Sequence, residues 1–162
     1  MPGSGKSTVG IQLAKCLGLS FIDTDLLIQA HQGEKLQTIL DKKGYLALRK
    51  IEAQELLQLQ LDKDLVATGG SAIYSEAAMN HLRKQGTIVY LKVSLEEIQN
   101  RIQNEGARGI ARPPGQSLDS VYAERTLLYE KFADITIDNN QSLSMDEIVQ
   151  HLSKSHHGFD QN

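Results

Sequence analysis

The chain has 162 residues, a hydrophobic fraction of 40% and a formal net charge of −3. This length suits one domain with a core of its own, and the charge gives none of the basic field that nucleic-acid binding requires. The sequence has no apolar run of about 18 residues and no leader with basic and apolar regions, so we expect a cytoplasmic protein outside the membrane. The single Cys16 is expected on the buried side of the first helix, as a small core residue.

Short apolar runs alternate with helical stretches along the chain. Helix ends are indicated by two capping boxes, at residues 94–97 and 144–147, and by Gly18 and Gly86 at C-cap positions. This alternation predicts a right-handed, doubly wound α/β fold. The apolar runs, each of which suits a buried strand of a parallel sheet, are Leu19–Ile22, Leu65–Ala67, Thr87–Val93 and Ile135–Ile137.

The start of the chain suggests that one strand is missing. A sheet of this kind needs a strand that leads into its first glycine-rich loop, but residue 1 already lies inside the loop formed by residues 1–8. We therefore expect about ten further residues upstream, forming a strand in the middle of the sheet. One domain is expected over residues 1–154, followed by a disordered polar tail over residues 155–162.

The strongest motif is the glycine-rich loop of residues 1–8, MPGSGKST. It matches the Walker A pattern G-x-x-x-x-G-K-[ST], apart from a leading glycine that would precede residue 1, and the amphipathic helix that must follow is present over residues 9–17. Such a loop points backbone N–H groups at phosphate oxygens, whereas the alternative is a glycine-rich turn with a chance lysine. The predicted ATP ligands are Gly3, Ser4, Gly5, Lys6, Ser7 and Thr8, with Lys6 on the β and γ phosphates, Ser7 on Mg²⁺ and Thr8 on the α phosphate.

Two carboxylates follow the first apolar run, in residues 21–25, FIDTD. Treated as strand residues at i and i+2, Asp23 and Asp25 point to one face, about 6–7 Å apart. They lie at the strand end, where open α/β sheets bind ligands. One acid can hold Mg²⁺ through its waters, and the other can orient or deprotonate an acceptor hydroxyl. The alternatives are a solvated turn or a helix N-cap.

Together, the motifs resemble the shikimate kinase family in order and spacing over nearly the whole chain. The resemblance implies five parallel strands in the order 2-3-1-4-5, the first being the strand expected upstream, with helices on both faces and a lid. It also implies a monomer that uses ATP and Mg²⁺ to convert shikimate to shikimate 3-phosphate. The matching segments are residues 1–8 and 21–25, Leu48-Arg49 with Glu52, residues 67–70 and 87–91, Arg112-Pro113, Glu124-Arg125, Leu128-Tyr129 and Ala133-Asp134.

The same resemblance implies roles for individual side chains. Asp25 matches the residue that binds the ring hydroxyls and is the candidate catalytic base, whereas Asp23 matches the acid associated with Mg²⁺. Arg49 and Arg125 match the pair that grips the shikimate carboxylate, although each arginine taken alone is more typical of a protein surface. The positions where backbone must approach the substrate without side chains are Gly69 and Gly70.

Residues 104–116, NEGARGIARPPGQ, are rich in glycine and proline and predict a lid. Arg112 matches the family's lid arginine, which closes over the γ phosphate and stabilises charge in the transition state. Arg108 is a competing candidate for that role. Arg101, on the preceding helix, resembles the arginine that packs against adenine, but a solvated helix face explains it equally well.

Four positions depart from the family pattern: Tyr45 and Leu48 near the first arginine, Ser71 in place of a third consecutive glycine, and Leu127 in place of proline. Ser71 adds a hydroxyl and is expected to restrict the backbone where the acceptor binds. These departures keep open a kinase of another small acceptor, such as gluconate or a nucleoside monophosphate, although no base-reading pocket is evident for the latter. A non-catalytic nucleotide-binding module is a third alternative, which the complete set of catalytic residues disfavours.

Overall fold

The computed structural model describes residues 1–105, 110–141 and 143–155. Within these ranges no helix is long and apolar enough to cross a lipid bilayer. The strands are β1 (Ser20–Asp23), β2 (Asp64–Ala67), β3 (Val89–Lys92) and β4 (Ile135–Asp138), and all four predicted strands are thereby confirmed. The helices are α1 (Lys6–Leu17), α2 (Thr24–Gln32), α3 (Leu36–Lys43), α4 (Tyr45–Gln58), α5 (Glu76–Arg83), α6 (Leu95–Glu105), α7 (Leu118–Phe132) and α8 (Met145–Ser155), with a 3₁₀ turn at Ala72–Tyr74.

The strands pair as two parallel ribbons. In the described ranges, β1 pairs with β2 from Ser20–Asp64 to Asp23–Ala67, and β3 pairs with β4 from Val89–Ile135 to Lys92–Asp138. These are the two pairings that the order 2-3-1-4-5 requires of its second to fifth strands, and both are confirmed. The strand expected before residue 1 stays a prediction. Because each pair is parallel, the carboxyl ends of its two strands lie at the same edge of the ribbon. Open α/β sheets bind their ligands at this edge.

Hydrophobic clusters join the helices to these ribbons. Leu13 of α1 packs with Ile135 and Ile137 of β4 and with Ile148 of α8. Met1, at the start of the glycine-rich loop, is 3% exposed and packs in a second cluster with residues of α6 and α7. The loop is therefore seated on the core from its first residue.

Helix capping follows the sequence in part. Gly18 ends α1 in the left-handed conformation, with φ of 67°, as predicted. The box at residues 144–147 is complete, since the Ser144 N–H donates to Glu147 and the Glu147 N–H donates to the Ser144 hydroxyl. The prediction for Gly86 was wrong: α5 ends at Arg83 and its C-cap is Lys84, in the right-handed conformation.

The prediction for Cys16 was also wrong, because its side chain is exposed. The buried residues of α1 are Gly10, Leu13 and Ala14. Successive residues of a helix are turned by about 100° from one another, so the stripe formed by these residues continues at position 17 and Cys16 lies to one side of it.

Two predictions of chain organisation concern segments that the structure covers only partly. Residues 106–109 of the predicted lid, including Arg108, lie outside the described residues. So do residues 156–162 of the predicted tail, whereas residue 155 is the last residue of α8. The single domain over residues 1–154 stays a prediction.

We predict that Gly10→Ala destabilises the fold by packing too much volume between α1 and the first ribbon. A Cβ at this position would lie 2.6 Å from Cε2 of Phe21 and 3.1 Å from Cδ2 of Leu65. Overpacking costs about 1–3 kcal/mol, which outweighs the gain in helix propensity of about 1 kcal/mol, so urea titration should show a lower free energy of unfolding.

Gly86→Ala is the matched control, because no atom lies within 4 Å of a Cβ at that position and its φ is not positive. We expect the control to stay within about 0.5 kcal/mol of the wild type. A Gly10→Ala protein as stable as the wild type would show that Gly10 is not needed for this packing.

Candidate active site

The loop of residues 1–5 turns sharply into α1. Gly3 and Gly5 have φ of 73° and 86°, in the region that only glycine adopts readily. Gly5 is the N-cap of α1, and among the described residues no side chain caps the helix. The first N–H groups of a helix have no carbonyl partner within the helix, and the helix dipole favours negative charge at this end of α1.

Ser4 and Lys6 bond to the loop itself. Ser4 is 1% exposed, and its Oγ donates to the carbonyl of Met1 at 2.8 Å. The Lys6 ammonium donates to the same carbonyl at 2.8 Å and to Ser4 Oγ at 3.4 Å. The Lys6 charge therefore lies against the loop whose N–H groups are predicted to bind phosphate.

Two side chains from distant parts of the chain hold the other side of the loop. Arg101 donates through Nη1 to the carbonyl of Gly3 at 3.3 Å and through Nη2 to that of Asn139 at 3.0 Å. Its Nε pairs with Glu97 at 2.8 Å. Asn139 Nδ2 donates to the carbonyl of Ser4 at 3.0 Å. Contact between Arg101 and adenine stays a prediction; the structure adds a role for Asn139 that sequence reasoning missed.

Ser7 and Asp23 lie side by side. Ser7 Oγ donates to Asp23 Oδ2 at 2.8 Å, while Asp23 Oδ1 accepts from the N–H groups of Asp25 and Leu26. Asp23 is thus the N-cap of α2. Capping uses Oδ1, whereas Oδ2 faces Ser7, so the same carboxylate can serve both as the N-cap and in the predicted Mg²⁺ site. A hydroxyl and a carboxylate suit Mg²⁺. No group of three or more His, Cys, Asp or Glu in the described residues could hold a metal alone, so the other ligands would be phosphate oxygens and water.

Asp25 lies in the first turn of a helix, so the strand spacing predicted for the two acids was wrong. β1 ends at Asp23 and α2 begins at the next residue, and the strand alternation of side chains does not continue into a helix. Asp23 faces Ser7, whereas Asp25 Oδ1 lies 2.8 Å from the position that a Cβ would take at Gly69. The two acids therefore divide between the phosphate loop and the turn after β2.

Thr24 ties that turn to α2. It is fully buried, and its hydroxyl donates to the carbonyl of Ala67 at 3.4 Å and accepts from the Gly69 N–H at 3.0 Å. A side chain at Gly69 would overlap the carboxyl groups of Glu52 and Asp25. Glycine leaves room at this position for these two carboxyl groups, whereas the predicted approach of the substrate to Gly69 stays a prediction.

Gly70 is enclosed in the same way. A Cβ there would lie 3.0 Å from Arg125 Nη1 and 3.2 Å from Pro2 Cδ. The Tyr129 hydroxyl donates to the carbonyl of Gly70 at 2.7 Å. Burial raises the pKa of Tyr129 well above its usual value, so this hydroxyl keeps its proton and remains a donor.

Glu52 is a buried carboxyl to which the sequence assigned no role. It is 3% exposed, its Oε2 accepts a hydrogen bond from the Ser71 hydroxyl, and its Oε1 has no partner among the described residues. Burial raises the pKa of Glu52 to about 7; the Asp25 charge acts in the same direction, while Ser71, Arg125 and Lys6 oppose it. Glu52 is therefore partly protonated near neutral pH.

The two arginines predicted to grip a carboxylate converge in the structure. Arg49 Nη2 and Arg125 Nη2 donate to the same carbonyl, that of Ala111, at 3.1 and 2.8 Å. Their guanidinium carbons lie 3.5 and 5.4 Å from the centre of the Tyr74 ring. Arg125 is 1% exposed, and the buried Nε of Arg49 has no partner in the described part of the chain. A buried and a half-buried cation that converge on one carbonyl favour an anion between them.

The lid predicted over residues 104–116 starts too early, because residues 104 and 105 still belong to α6. Of its remaining described part, residues 110–115 contribute to the lining of an open cleft of about 570 Å³. The lid turns at its prolines, since the Gln116 N–H donates to the Pro113 carbonyl at 3.2 Å and Gly115 has φ of 79°. Arg112 lines this cleft, opposite residues of α3 and the start of α4. Closure of Arg112 over a γ phosphate stays a prediction.

The four departures from the family pattern differ in position. Ser71 has φ of −103° and ψ of 2°, values open to any residue, so the predicted backbone restriction does not appear as strain. Tyr45 lines the cleft beside the lid. Leu48 is 5% exposed within the core and Leu127 is 71% exposed on the surface. Only Tyr45 and Ser71 thus bring new chemistry to the candidate site.

Comparison with known proteins agrees with this geometry. The family model described as shikimate kinase matches residues 2–155. The chain belongs to the shikimate kinase family. A shikimate kinase of Paracidovorax citrulli is 35% identical over 158 residues, which cover 94% of this chain and 86% of the relative. One of Chromobacterium violaceum is 35% identical over 161 residues, covering 96% and 88%.

Solved shikimate kinases share the fold. The enzyme from Acinetobacter baumannii, solved in complex with shikimate, is 29% identical with a TM-score of 0.81, over 96% of this chain and 90% of that one. The enzyme from Aquifex aeolicus is also 29% identical, with a TM-score of 0.75 and the same coverage. The α/β P-loop kinase fold is therefore confirmed, and this family member is an ATP-dependent kinase of a small molecule.

We predict that Glu52 makes the stability of the fold depend on pH. Its pKa is about 7 in the folded state against 4.5 ordinarily, so the folded state binds more protons between these values. The free energy of unfolding should therefore fall as pH rises through this window and level off above it, by on the order of 3 kcal/mol. In Glu52→Gln this contribution should vanish, which urea titrations from pH 4.5 to 8 would measure.

The matched control is Glu96→Gln, because Glu96 is exposed on α6. It should retain the pH dependence of the wild type. If Glu52→Gln also retained that dependence, the carboxyl of Glu52 would not be the group responsible.

Proposed function

We propose that this chain transfers the γ-phosphoryl group of ATP to the 3-hydroxyl of shikimate, giving shikimate 3-phosphate and ADP. The observation that carries the proposal is the convergence of Arg49 and Arg125 on the Ala111 carbonyl. Arg125 also lies close to the turn at Gly69 and Gly70, and Asp25 of α2 lies against the same turn. Shikimate has one carboxylate and three ring hydroxyls, so it needs a paired cationic site next to a hydroxyl-reading carboxylate. Family membership supports the same acceptor.

The donor half is the loop that leads into α1. Its N–H groups and the Lys6 ammonium would bind the β and γ phosphates, and Arg101 and Asn139 would keep the loop in shape through its carbonyls. Ser7 and Asp23 would hold Mg²⁺, which supplies charge neutralisation at the phosphates when bound. Arg112 would add positive charge from the lid side of the cleft.

The acceptor half places a base beside the reacting hydroxyl. The oxygen of the 3-hydroxyl forms a bond to the γ phosphorus while the bond from that phosphorus to the β,γ-bridging oxygen breaks. The hydroxyl proton passes to the carboxylate of Asp25. Charge that develops on the transferred group is stabilised by Lys6, which lies against the phosphate loop.

The acid half of shikimate would bind the arginine pair. Planar guanidinium groups form bidentate hydrogen bonds to carboxylates, and Arg49 offers an Nε donor that has no partner within the described residues. Arg125 is fixed by Tyr74 and Ala111, so little side-chain entropy is lost when the acid binds.

We further propose that the protein works as a monomer in the cytoplasm, with small molecules as its substrates. The net charge of −3 supports small molecules rather than a nucleic acid as the binding partners, because a nucleic acid would require a basic field. Cytoplasmic ATP and shikimate would then both reach the open cleft.

The direct test is ADP release in a coupled assay with ATP, Mg²⁺ and a panel of acceptors: shikimate, gluconate, a nucleoside monophosphate and a neutral polyol. We expect shikimate to give the highest kcat/KM. In Arg49→Ala the KM for shikimate should rise at least about tenfold, because a charged hydrogen bond is lost, with the KM for ATP unchanged.

Arg83→Ala is the control for that variant, since Arg83 bonds to the carbonyl of Phe132 and lies outside the pocket. It should leave the KM for shikimate near its wild-type value. A panel in which gluconate or the neutral polyol outcompetes shikimate would reject the proposed acceptor.

Asp25→Asn should lower kcat by roughly 10²–10⁴-fold, the usual contribution of a positioned general base. Binding of ATP, measured by calorimetry, should stay close to that of the wild type, because Asp25 lies against the turn at Gly69 on the acceptor side of the site. Asp62→Asn, at an exposed position before β2, is the control and should keep full activity. A parallel loss of ATP affinity in Asp25→Asn would show that its role lies with the nucleotide.

A further inference from the structure

Ser71 and Glu52 form a buried polar pair next to the proposed acceptor pocket. Ser71 follows the turn at Gly69 and is 6% exposed, while Glu52 is 3% exposed on α4. The Ser71 hydroxyl donates to Oε2 of Glu52.

The other oxygen of Glu52 points to a ligand. Oε1 is buried and has no hydrogen-bond partner among the described residues. It lies over the α-carbon of Gly69, where a side chain would overlap both it and Asp25 Oδ1. A buried acceptor without a donor is unfavourable, and a hydroxyl bound at this point would satisfy it.

The hydrogen bond from Ser71 decides where Oε1 points. The terminal torsion of a glutamate is broad and roughly two-fold, so a carboxyl held at neither oxygen can rotate. With Oε2 fixed by Ser71, Oε1 stays turned towards Gly69 and Asp25. A glycine at position 71 would have no hydroxyl to fix it.

We propose that Ser71 is a positioning residue for acceptor specificity: it orients Glu52 so that Oε1 accepts a hydrogen bond from the acceptor hydroxyl adjacent to the one bound by Asp25. The site therefore selects acceptors with two neighbouring hydroxyls. This inference rests on the proposed function and assigns to Glu52 the hydroxyl on carbon 4 of shikimate, next to the reacting hydroxyl on carbon 3.

Electrostatics around Glu52 are consistent with such a contact. Asp25 of α2 faces it with negative charge, while Arg125 of α7 and Lys6 of α1 face it with positive charge. A site built to hydrogen-bond a hydroxyl rejects an analogue without it, because the buried polar group is then left unpaired. The Ser71–Glu52 pair would thus select against acceptors that lack the hydroxyl, and not against acceptors of a different size.

The test compares kcat/KM for shikimate with that for 4-deoxyshikimate. In the wild type we expect kcat/KM for the deoxy compound to be lower by about 5–100-fold, the range for a buried polar group that is left without its hydrogen bond. Ser71→Ala should lower this ratio at least about fivefold by weakening shikimate alone, with the KM for ATP unchanged. Ser75→Ala is the matched control, because its hydroxyl caps α5 by accepting from the Ala78 N–H, and it should keep the wild-type ratio.

Glu52→Gln provides a second variant of nearly equal shape in case Ser71→Ala does not fold, as judged by circular dichroism. It should lower the same ratio. If kcat/KM in the Ser71 and Glu52 variants fell by the same factor for shikimate and for its deoxy analogue, or did not fall at all, the ratio would be unchanged. That result would overturn the inference while leaving the proposed function intact. Failure of the wild type to phosphorylate shikimate would overturn the proposed function and this inference together.

Discussion

The hydrogen bond between Ser7 and Asp23 joins the two halves of the site. One oxygen of Asp23 accepts from Ser7, at the start of α1, and the other caps the helix that carries Asp25. Because a single carboxylate makes both contacts, the phosphate loop and the first turn of α2 cannot shift independently without breaking one of them. The distance between a phosphate bound at Lys6 and an alcohol bound at Asp25 is thereby set by the fold, as transfer between two bound substrates requires.

The acceptor side of the site contains buried charged groups, whose desolvation is unfavourable while no ligand is bound. Arg125 and Glu52 are both almost fully buried, and burial of either alone would carry a large desolvation cost. The structure compensates by placing them near each other, with Arg125 lowering and Asp25 raising the pKa of Glu52. An acceptor that brings one carboxylate and several hydroxyls would complete these contacts, so binding energy would be gained from groups that the fold has already desolvated.

The sequence predicted the elements set by local pattern and missed the contacts set by packing. All four strands, the loop glycines and the Ser144 cap follow from local chemistry. The contact between Asn139 and the Ser4 carbonyl joins residues 135 positions apart, so the local sequence around Asn139 does not predict it. Cys16 was misplaced because the buried stripe of α1 is narrow and consists of Gly10, Leu13 and Ala14.

The departures from the family pattern show how a site can diverge without loss of its chemistry. Leu127 is on the surface and Leu48 is in the core, so neither contacts the reacting groups. Ser71 is different, since it introduces a donor beside Gly70, where a side chain would lie close to Arg125 and Pro2. A hydroxyl is the smallest polar group that fits there. Because it bonds to a carboxyl already present on α4, the change alters which acceptor hydroxyls are read and leaves the phosphate loop untouched.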